Sequence, residues 1–307
     1  FSYETKGIIP GLLEKWYAER QEYQKTKGEY QDKLKTETDP EKKKEYQAQV
    51  VYWDKIQLVR KILLNSAYGA LLNPGSRFYR FNIGQSTTLS GRTITRHMGA
   101  KINEIITGDY DYKGDAIIYG DTDSMYFSAY PIIKDEIASG TIPWSKDDVI
   151  NLYDNISDET TNSFTDFMVK TFNTTKDNGS IIASGREIIA SSAIFITKKR
   201  YAALIYDLEG YRTDVDGKSG KLKAMGLDLK RSDTPEEVQV FLEKVLMKTL
   251  EGETEEDIIE YIRDYKKEFH KKPSWNKGTP KRVNNLTNHT KIFEKTGKCS
   301  VGHAMAA

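Results

Sequence analysis

Cysteine is nearly absent from this sequence of 307 residues, in which Cys299 is the only one. A single cysteine cannot form an internal disulfide, so we expect a protein of a reducing compartment, the cytoplasm. Uninterrupted apolar runs of about 18 residues, the length of a membrane-spanning helix, are missing as well. We therefore expect no membrane partner and no signal peptide.

An excess of charge of either sign is also lacking, since 46 basic and 45 acidic residues leave a net charge of +1. The overall charge thus gives no reason to expect nucleic-acid binding, and only local clusters can do so. Hydrophobic residues make up 38% of the chain, enough for a core. The length suits about two or three domains. The chain begins at Phe1 and ends in "VGHAMAA", which reads as part of a longer protein.

Two long polar stretches at the start of the chain have helical composition. Residues 7–37 and 41–71 flank the step Asp39–Pro40, which breaks the first helix and begins the second. Two long helices joined by so short a turn predict an antiparallel helical hairpin.

The second of these helices has two distinct faces at 100° per residue. One face is predicted to be apolar and carries Ile56, Val59, Leu63, Ala67 and Ala70. The opposite face carries a cation, an amide and an aromatic ring in one column: Lys61, Asn65 and Tyr68. Such a column is either ordinary solvated surface or a binding face, and spacing alone does not decide between them.

The rest of the chain alternates between helical and strand-like patterns. Helices are predicted at residues 85–106 and 146–172, and again from residue 232 onward, with Ser232 and Asp233 as capping candidates. Two strands about a turn are predicted within residues 115–129, and three or four antiparallel strands within residues 181–230. The whole pattern predicts an α+β fold laid out in three segments.

Asp121 and Asp123 lie two residues apart in the turn of "YGDTDSMYF". Aspartate and glycine are common in exposed hairpin turns, which is one interpretation. The other is a divalent metal site, because Mg²⁺ prefers one or two carboxylates together with substrate phosphates. Residues i and i+2 of an extended segment point the same way, so we expect both carboxylates to face one site.

Basic residues cluster in two places. Lys198, Lys199 and Arg200 precede Tyr201 at the end of an apolar strand, where they either reach into water or meet phosphate. Residues 271–282, "KKPSWNKGTPKR", combine five cations with a tryptophan and no acid. Such a combination suits a nucleic-acid backbone and also occurs in ordinary loops.

In this order along the chain, "KILLNSAYGALLN" (61–73), "YGDTDSMYF" (119–127) and "KKRY" (198–201) resemble the motifs of family B DNA polymerases. "MGLDLKRSDTP" and "WNKGTPKRVNN" are similar to the replicative polymerases of T-even bacteriophages. This resemblance implies an α+β fold with an antiparallel palm sheet and packed helices, a long helical-hairpin fingers segment and a mostly helical partial thumb. The resemblance implies three domains. Residues 1–72 are the fingers and include a few palm residues at their start, residues 73–228 are the palm, and residues 229–307 are a partial thumb.

The resemblance assigns roles to the column on the second helix. It implies that Lys61 and Asn65 contact the triphosphate of an incoming deoxynucleotide, with Lys61 also acting in catalysis. Tyr68 and Gly69 correspond to the platform under the nascent base pair. Arg20 resembles the triphosphate-binding arginine of the facing helix. The lysine usual four residues later is replaced by Gln24, with Lys25 next to it, so this contact is either shifted by one residue or missing.

The resemblance also assigns the metal and DNA contacts. It implies two Mg²⁺ ions in the complete enzyme, with Asp123 as a catalytic ligand, Asp121 as its peripheral neighbour and Glu187 as a further palm carboxylate. The implied contacts with primer–template DNA are made by the two basic clusters, through Lys198, Lys199, Arg200, Tyr201, Lys281 and Arg282. A lysine in the minor groove can check pairing without reading sequence.

One family motif, Asp-x-x-Ser-Leu-Tyr-Pro-Ser with the other metal aspartate, does not occur in this sequence. We therefore expect a fragment of a template-directed DNA polymerase that is inactive on its own, in a bacterial host cell if phage-encoded. Its expected partners are primer–template DNA, deoxynucleoside triphosphates, the missing upstream segment and, for the full-length parent, a sliding clamp. The alternatives are one subunit of a split polymerase, a non-catalytic nucleic-acid-binding module, or another two-carboxylate enzyme such as a nucleotide cyclase. A cyclase would have no reason to keep 61–73 or 198–201.

Overall fold

A computed structural model describes residues 5–140, 144–279 and 286–298. The chain divides into two compact units, Phe1–Thr93 and Ile94–Ala307, which are described separately. Within the described ranges, no helix combines the length and the apolar character needed to cross a membrane.

The first unit contains the predicted helical hairpin. Helix α1 spans Ile8–Thr36 and helix α2 spans Pro40–Leu72. The Asp39 side chain accepts a hydrogen bond from the Glu41 amide at 3.0 Å, and Pro40 occupies the first turn, where its missing N–H costs nothing. The hairpin is therefore formed at the residues that predicted it.

Polar and aromatic side chains join α1 to α2. Ion pairs link Lys27 with Asp54 (2.7 Å) and Glu19 with Arg60 (2.6 Å). Aromatic pairs link Tyr23 with Trp53 and Tyr30 with Tyr46. In these two helices, which the structure describes in full, no residue is buried.

The predicted apolar face of α2 is wrong at one position. Val59 is 52% exposed, whereas Ile56, Leu63, Ala67 and Ala70 are half-buried. Periodicity alone could not locate the packed face, because Trp53, Asp54, Gln57 and Arg60 supply the side chains that contact α1.

The middle of the chain holds helix α3 (Phe81–Thr107), longer than predicted, and then the strands β1 (Ile117–Asp121) and β2 (Ser124–Phe127). Helices α4 (Tyr130–Ser139), α5 (Lys146–Phe172) and α6 (Lys176–Gly179) follow. Strands β1 and β2 pair antiparallel, with Asp121 opposite Ser124.

A four-stranded antiparallel sheet comes next. Its strands are β3 (Ile188–Thr197), β4 (Arg200–Leu208), β5 (Tyr211–Arg212) and β6 (Lys221–Met225). Strand β4 pairs with β3 on one side and with β5 and β6 on the other. The α+β class and the antiparallel strands are thus confirmed. The expected strands form two sheets, however, and β2 and β3 do not pair with each other within the described residues.

Among the described residues after the four-stranded sheet, the chain is mainly helical, as predicted. A 3₁₀ turn at Asp228–Lys230 leads to α7 (Glu236–Glu251), α8 (Glu255–Lys271), α9 (Ser274–Lys277) and α10 (Leu286–Thr296). The names fingers, palm and thumb, and the boundaries at 72 and 228, remain predictions.

The second unit has two hydrophobic clusters. One lies between α3, β1 and α5 and contains Ile102, Ile106, Ala116, Ala129 and Ile156. The other packs β4 and β6 against α7 and contains Ala202, Leu204, Ala224, Leu227, Leu229 and Leu250. These clusters hold the β1–β2 hairpin and the four-stranded sheet in place.

Candidate active site

The β1–β2 hairpin ends in a tight turn, residues 121–124, which we name the carboxylate turn. Thr122 has a φ of 54°, a left-handed value that is unusual for a β-branched residue. The Asp123 amide donates to the Asp121 carbonyl at 2.6 Å, and the Thr122 hydroxyl donates to the Asp121 carboxylate at 3.1 Å. From α3, the Thr95 hydroxyl donates to the Thr122 carbonyl at 3.1 Å. The surroundings therefore hold a strained backbone, a feature that concentrates at functional sites.

The tight turn contradicts the expectation that Asp121 and Asp123 lie on one extended segment. Alternation of side chains applies to an extended segment, but the chain reverses between Asp121 and Asp123. The turn still brings two carboxylates together at one hairpin tip, with Asp123 exposed and the Asp121 side chain 25% exposed.

The β3–β4 hairpin ends in a second tight turn, residues 197–200, which we name the basic turn. Thr197 pairs with Arg200, so Lys198 and Lys199 form the tip. Lys198, Lys199 and Arg200 are all exposed. Their exposure is the arrangement expected if these cations meet water or phosphate.

Lys199 joins the two turns. Its ammonium nitrogen lies 3.8 Å from a carboxylate oxygen of Asp121, and its backbone N–H donates to the Tyr119 hydroxyl at 2.8 Å. An exposed ion pair at this distance contributes little stability. It does place a cation beside the paired aspartates, where it reduces their mutual repulsion.

Four rings behind the two turns form what we name the aromatic cluster: Tyr119, Tyr126, Phe195 and Tyr201. Their ring centroids lie 5.2–6.0 Å apart. The Tyr126 hydroxyl donates to the Tyr201 hydroxyl at 3.0 Å, and burial together with this bond raises the pKa of Tyr201 to about 12. Tyr201, predicted to touch the primer end, is 7% exposed and belongs to this cluster.

A groove of about 520 Å³ runs between the two sheets. It is lined by every residue of 123–128 and of 183–193, in and beside β2 and β3. Because neighbouring residues of a strand point to opposite faces, uninterrupted lining indicates that strand edges, and not sheet faces, bound the groove. Asp123 and Glu187 both lie along it, and the Glu187 carboxylate is 3.4 Å from the Lys223 ammonium.

The oxygen donors of this site suit a hard cation. Asp121, Asp123 and Glu187 offer carboxylates, the ligands that Mg²⁺ prefers in proteins. In the parts of the chain that the structure describes, no cluster of three or more histidine, cysteine, aspartate or glutamate side chains could hold a metal ion alone. Substrate phosphates or further protein ligands would have to complete the coordination.

The column predicted on α2 lies in the first unit. Lys61 and Asn65 are exposed and Tyr68 is half-buried, with Gly69 exposed beside it. The column is therefore accessible to a ligand.

Arg20 is half-buried on α1. Its guanidinium donates to Gln57 at 3.3 Å, one helical turn before Lys61. Helix α1 continues without a break, so Gln24 keeps its place one turn after Arg20, and Gln24 and Lys25 are both exposed.

The C-terminal basic cluster is largely occupied by interactions within the protein. Lys271 lies 2.7 Å from Glu268, Lys272 pairs with Glu237, and Lys277 donates to the His270 carbonyl. The predicted DNA contacts Lys281 and Arg282 lie outside the described residues.

An ion network beside the groove joins residues whose pairing the sequence did not predict. Arg186 pairs with Asp154 of α5 and with Asp207 of β4, and Asp207 is 1% exposed. This network anchors the segment that begins β3 and carries Glu187. The only sequence signal was an aspartate at the end of an otherwise apolar strand.

One family model and several known proteins match parts of this chain. The sequence model described as DNA polymerase family B matches residues 2–139. The DNA-directed DNA polymerase of Escherichia phage RB69 is 32% identical over 64% of this chain and 22% of its own length. That of Enterobacteria phage T4 is 29% identical over 69% of this chain and 24% of its own length. The DNA polymerase alpha catalytic subunit of Trypanosoma brucei brucei is 27% identical over 69% of this chain.

These matches confirm the resemblance that the motifs predicted. The chain spans about a quarter of the length of its two phage relatives. The family match covers α1, α2, α3 and the carboxylate turn, while the phage alignments extend over about two thirds of the chain.

Proposed function

Since residues 2–139 match DNA polymerase family B, we propose that this chain is the fingers, palm and partial thumb of a template-directed DNA polymerase. The complete enzyme adds deoxynucleotides to a primer 3′ end by two-metal phosphoryl transfer. The observation that carries the proposal is the meeting of the carboxylate turn and the basic turn, joined by Lys199.

In this proposal Asp123, with Asp121 beside it and Glu187 along the groove, would hold Mg²⁺ together with substrate phosphates. When bound there, the metal would supply electrostatic stabilisation of charge that develops during phosphoryl transfer. The cations of the basic turn hold the primer end, where phosphate contacts position the DNA.

The column on α2 serves the nucleotide. Lys61 and Asn65 bind its triphosphate, and Lys61 neutralises charge that develops on the leaving pyrophosphate. The ring of Tyr68 offers a flat face on which any base can stack.

The groove supports a role for the missing upstream segment. Both of its walls are strand edges, β2 and β3, whose outer backbone groups lack a strand partner within the described residues. A strand added between them would pair with both edges. We propose that the segment carrying the other metal aspartate enters here, and that the 307 residues alone are inactive. The same groove is the specific reason to keep a split polymerase as the second candidate.

Primer extension with Mg²⁺ tests the proposal. The chain is assayed alone and with a polypeptide that carries the Asp-x-x-Ser-Leu-Tyr-Pro-Ser motif. We expect extension only with the added polypeptide, and a loss of at least about 100-fold in Asp123→Asn, because a metal ligand is removed.

Asp115→Asn, an exposed aspartate before the same hairpin, is the matched control and should retain activity. Extension by the chain alone at the rate of the complemented pair would refute the inactivity of the fragment. Primer–template binding that is independent of metal, with no extension in either mixture, would favour the non-catalytic binding module. Co-purification of the two polypeptides would favour the split polymerase.

A further inference from the structure

We infer that Tyr119 is a positioning residue whose hydroxyl group fixes the basic turn for contact with the primer end. This inference rests on the proposed function, because it assumes that the basic turn binds primer–template DNA. It adds a residue to which the sequence assigned no role.

The backbone of Lys199 is held in a conformation that it would not adopt freely. Its φ of 61° is left-handed, a backbone conformation that is unfavourable for an L-residue with a Cβ atom. The Tyr119 hydroxyl accepts the Lys199 N–H at 2.8 Å, and this bond directly restrains the strained residue. Without it, the turn loses a restraint at the residue that reaches Asp121.

The opposite side of the turn is closed by Gly226. A Cβ atom at this glycine would lie 2.2 Å from the Lys199 carbonyl oxygen, so the two backbones are in close contact. The Arg200 guanidinium donates to the Gly226 carbonyl at 3.2 Å. The basic turn is thus held between the Tyr119 hydroxyl and the Gly226 backbone.

Packing against neighbouring rings restrains Tyr119. It lies on β1 two residues before Asp121, and its ring contacts Tyr126, Phe195 and Tyr201 of the aromatic cluster. One short strand therefore carries both the start of the carboxylate turn and the group that fixes the basic turn. The geometry couples the position of the cations to that of the aspartates.

Binding of a labelled primer–template to the full chain tests this role, measured by fluorescence anisotropy against a blunt duplex of the same length. Lys199→Ala should lower the preference for the recessed 3′ end by about three- to ten-fold, the effect of losing one charged contact. Tyr119→Phe keeps the ring and removes the hydroxyl, and should reproduce most of that loss. The double variant should lose little more than either single variant, because both changes disable one contact.

Tyr153→Phe is the matched control. The Tyr153 hydroxyl also accepts a backbone N–H, that of Ala129 at 3.0 Å, but it is not bonded to the basic turn. The Tyr153→Phe variant should prefer the recessed 3′ end as strongly as the wild type does. If Tyr119 had a purely structural role, the fold-losses of preference in the two single variants would multiply in the double variant.

Two results would overturn the inference in distinguishable ways. A wild-type preference that survives in Tyr119→Phe would remove the positioning role and leave the proposed function intact. A wild-type chain with equal affinity for the two DNAs would contradict primer-end recognition itself, and the positioning role with it.

Discussion

The helical hairpin and the second unit are stabilised in different ways. Helices α1 and α2 contact each other through ion pairs, an amide and tilted aromatic rings, with no buried residue in either described helix. Strand β4, in contrast, is buried continuously from Tyr201 to Asp207. Burial of apolar surface contributes far more stability than exposed polar pairs do. We therefore expect the hairpin to derive less of its stability from apolar burial than the second unit does.

The largest expected difference concerns apolar truncation. Phe164→Ala removes a ring that is 1% exposed and should lower the free energy of unfolding by about 3–5 kcal/mol. Leu58→Ala on the hairpin, where Leu58 is 45% exposed, should change it by about 0.5 kcal/mol or less. Urea unfolding followed by circular dichroism measures both. Equal losses of unfolding free energy in the two variants would contradict the inferred difference in how the two regions are stabilised.

A smaller effect, confined to the second unit, is expected from pH. His97 contacts the Tyr110 hydroxyl at 2.6 Å and the Ser163 hydroxyl at 2.9 Å and stacks on Phe167. Burial, with a contribution from Lys101, lowers the pKa of His97 below its usual 6.5. The folded state therefore favours the neutral ring, and the stability this contributes is present above about pH 6.5 and is lost as pH falls through the folded-state pKa.

The test compares His97→Gln with the wild type by unfolding at several pH values. Below pH 6.5 the wild type should lose stability more steeply than the variant, which cannot titrate at this position. His270→Gln, at an exposed histidine on α8, serves as the control and should parallel the wild type. Parallel curves for His97→Gln would contradict the prediction.

The smallest effect is expected in the hairpin. The Lys27 ammonium, 2.7 Å from Asp54, lowers the pKa of that carboxyl, but the two side chains are 28% and 48% exposed. A double-mutant cycle with Lys27→Met and Asp54→Asn should give a coupling of about 0.2–1 kcal/mol. The pair Lys35–Asp32 within α1, at 51% and 70% exposure, should give less. A coupling above about 2 kcal/mol would mean that polar pairs stabilise this hairpin as strongly as a core does.

Local sequence signals predicted the elements well. Helix α5 begins and ends where it was predicted, because Ser145 and Asp148 form a capping box and the apolar positions repeat at helical spacing. Helix α4 was missed, since ten residues starting with Tyr130 and Pro131 are too short to show a clear period. Val59 was misplaced because the packed face of α2 depends on its partner helix.

The hairpin positions of the candidate site were predictable from the sequence, but its contacts were not. Two short sequence motifs predicted the paired carboxylates and the cluster of cations. Each motif forms the tip of a hairpin. The bond from Lys199 to Tyr119 joins residues 80 positions apart, and the left-handed backbone at Thr122 has no signal in a β-branched residue. Such long-range features arise from tertiary packing, which no local pattern encodes.

Among the described residues, β2 and β3 each have one edge without a strand partner, which has a practical consequence for handling the protein. An exposed strand edge is a template for any extended peptide, including another copy of the same chain. Samples of the 307 residues should therefore become turbid or form higher-mass species as concentration rises. If the proposed upstream segment pairs with these edges, its co-expression should keep the samples clear, and light scattering during purification tests this expectation.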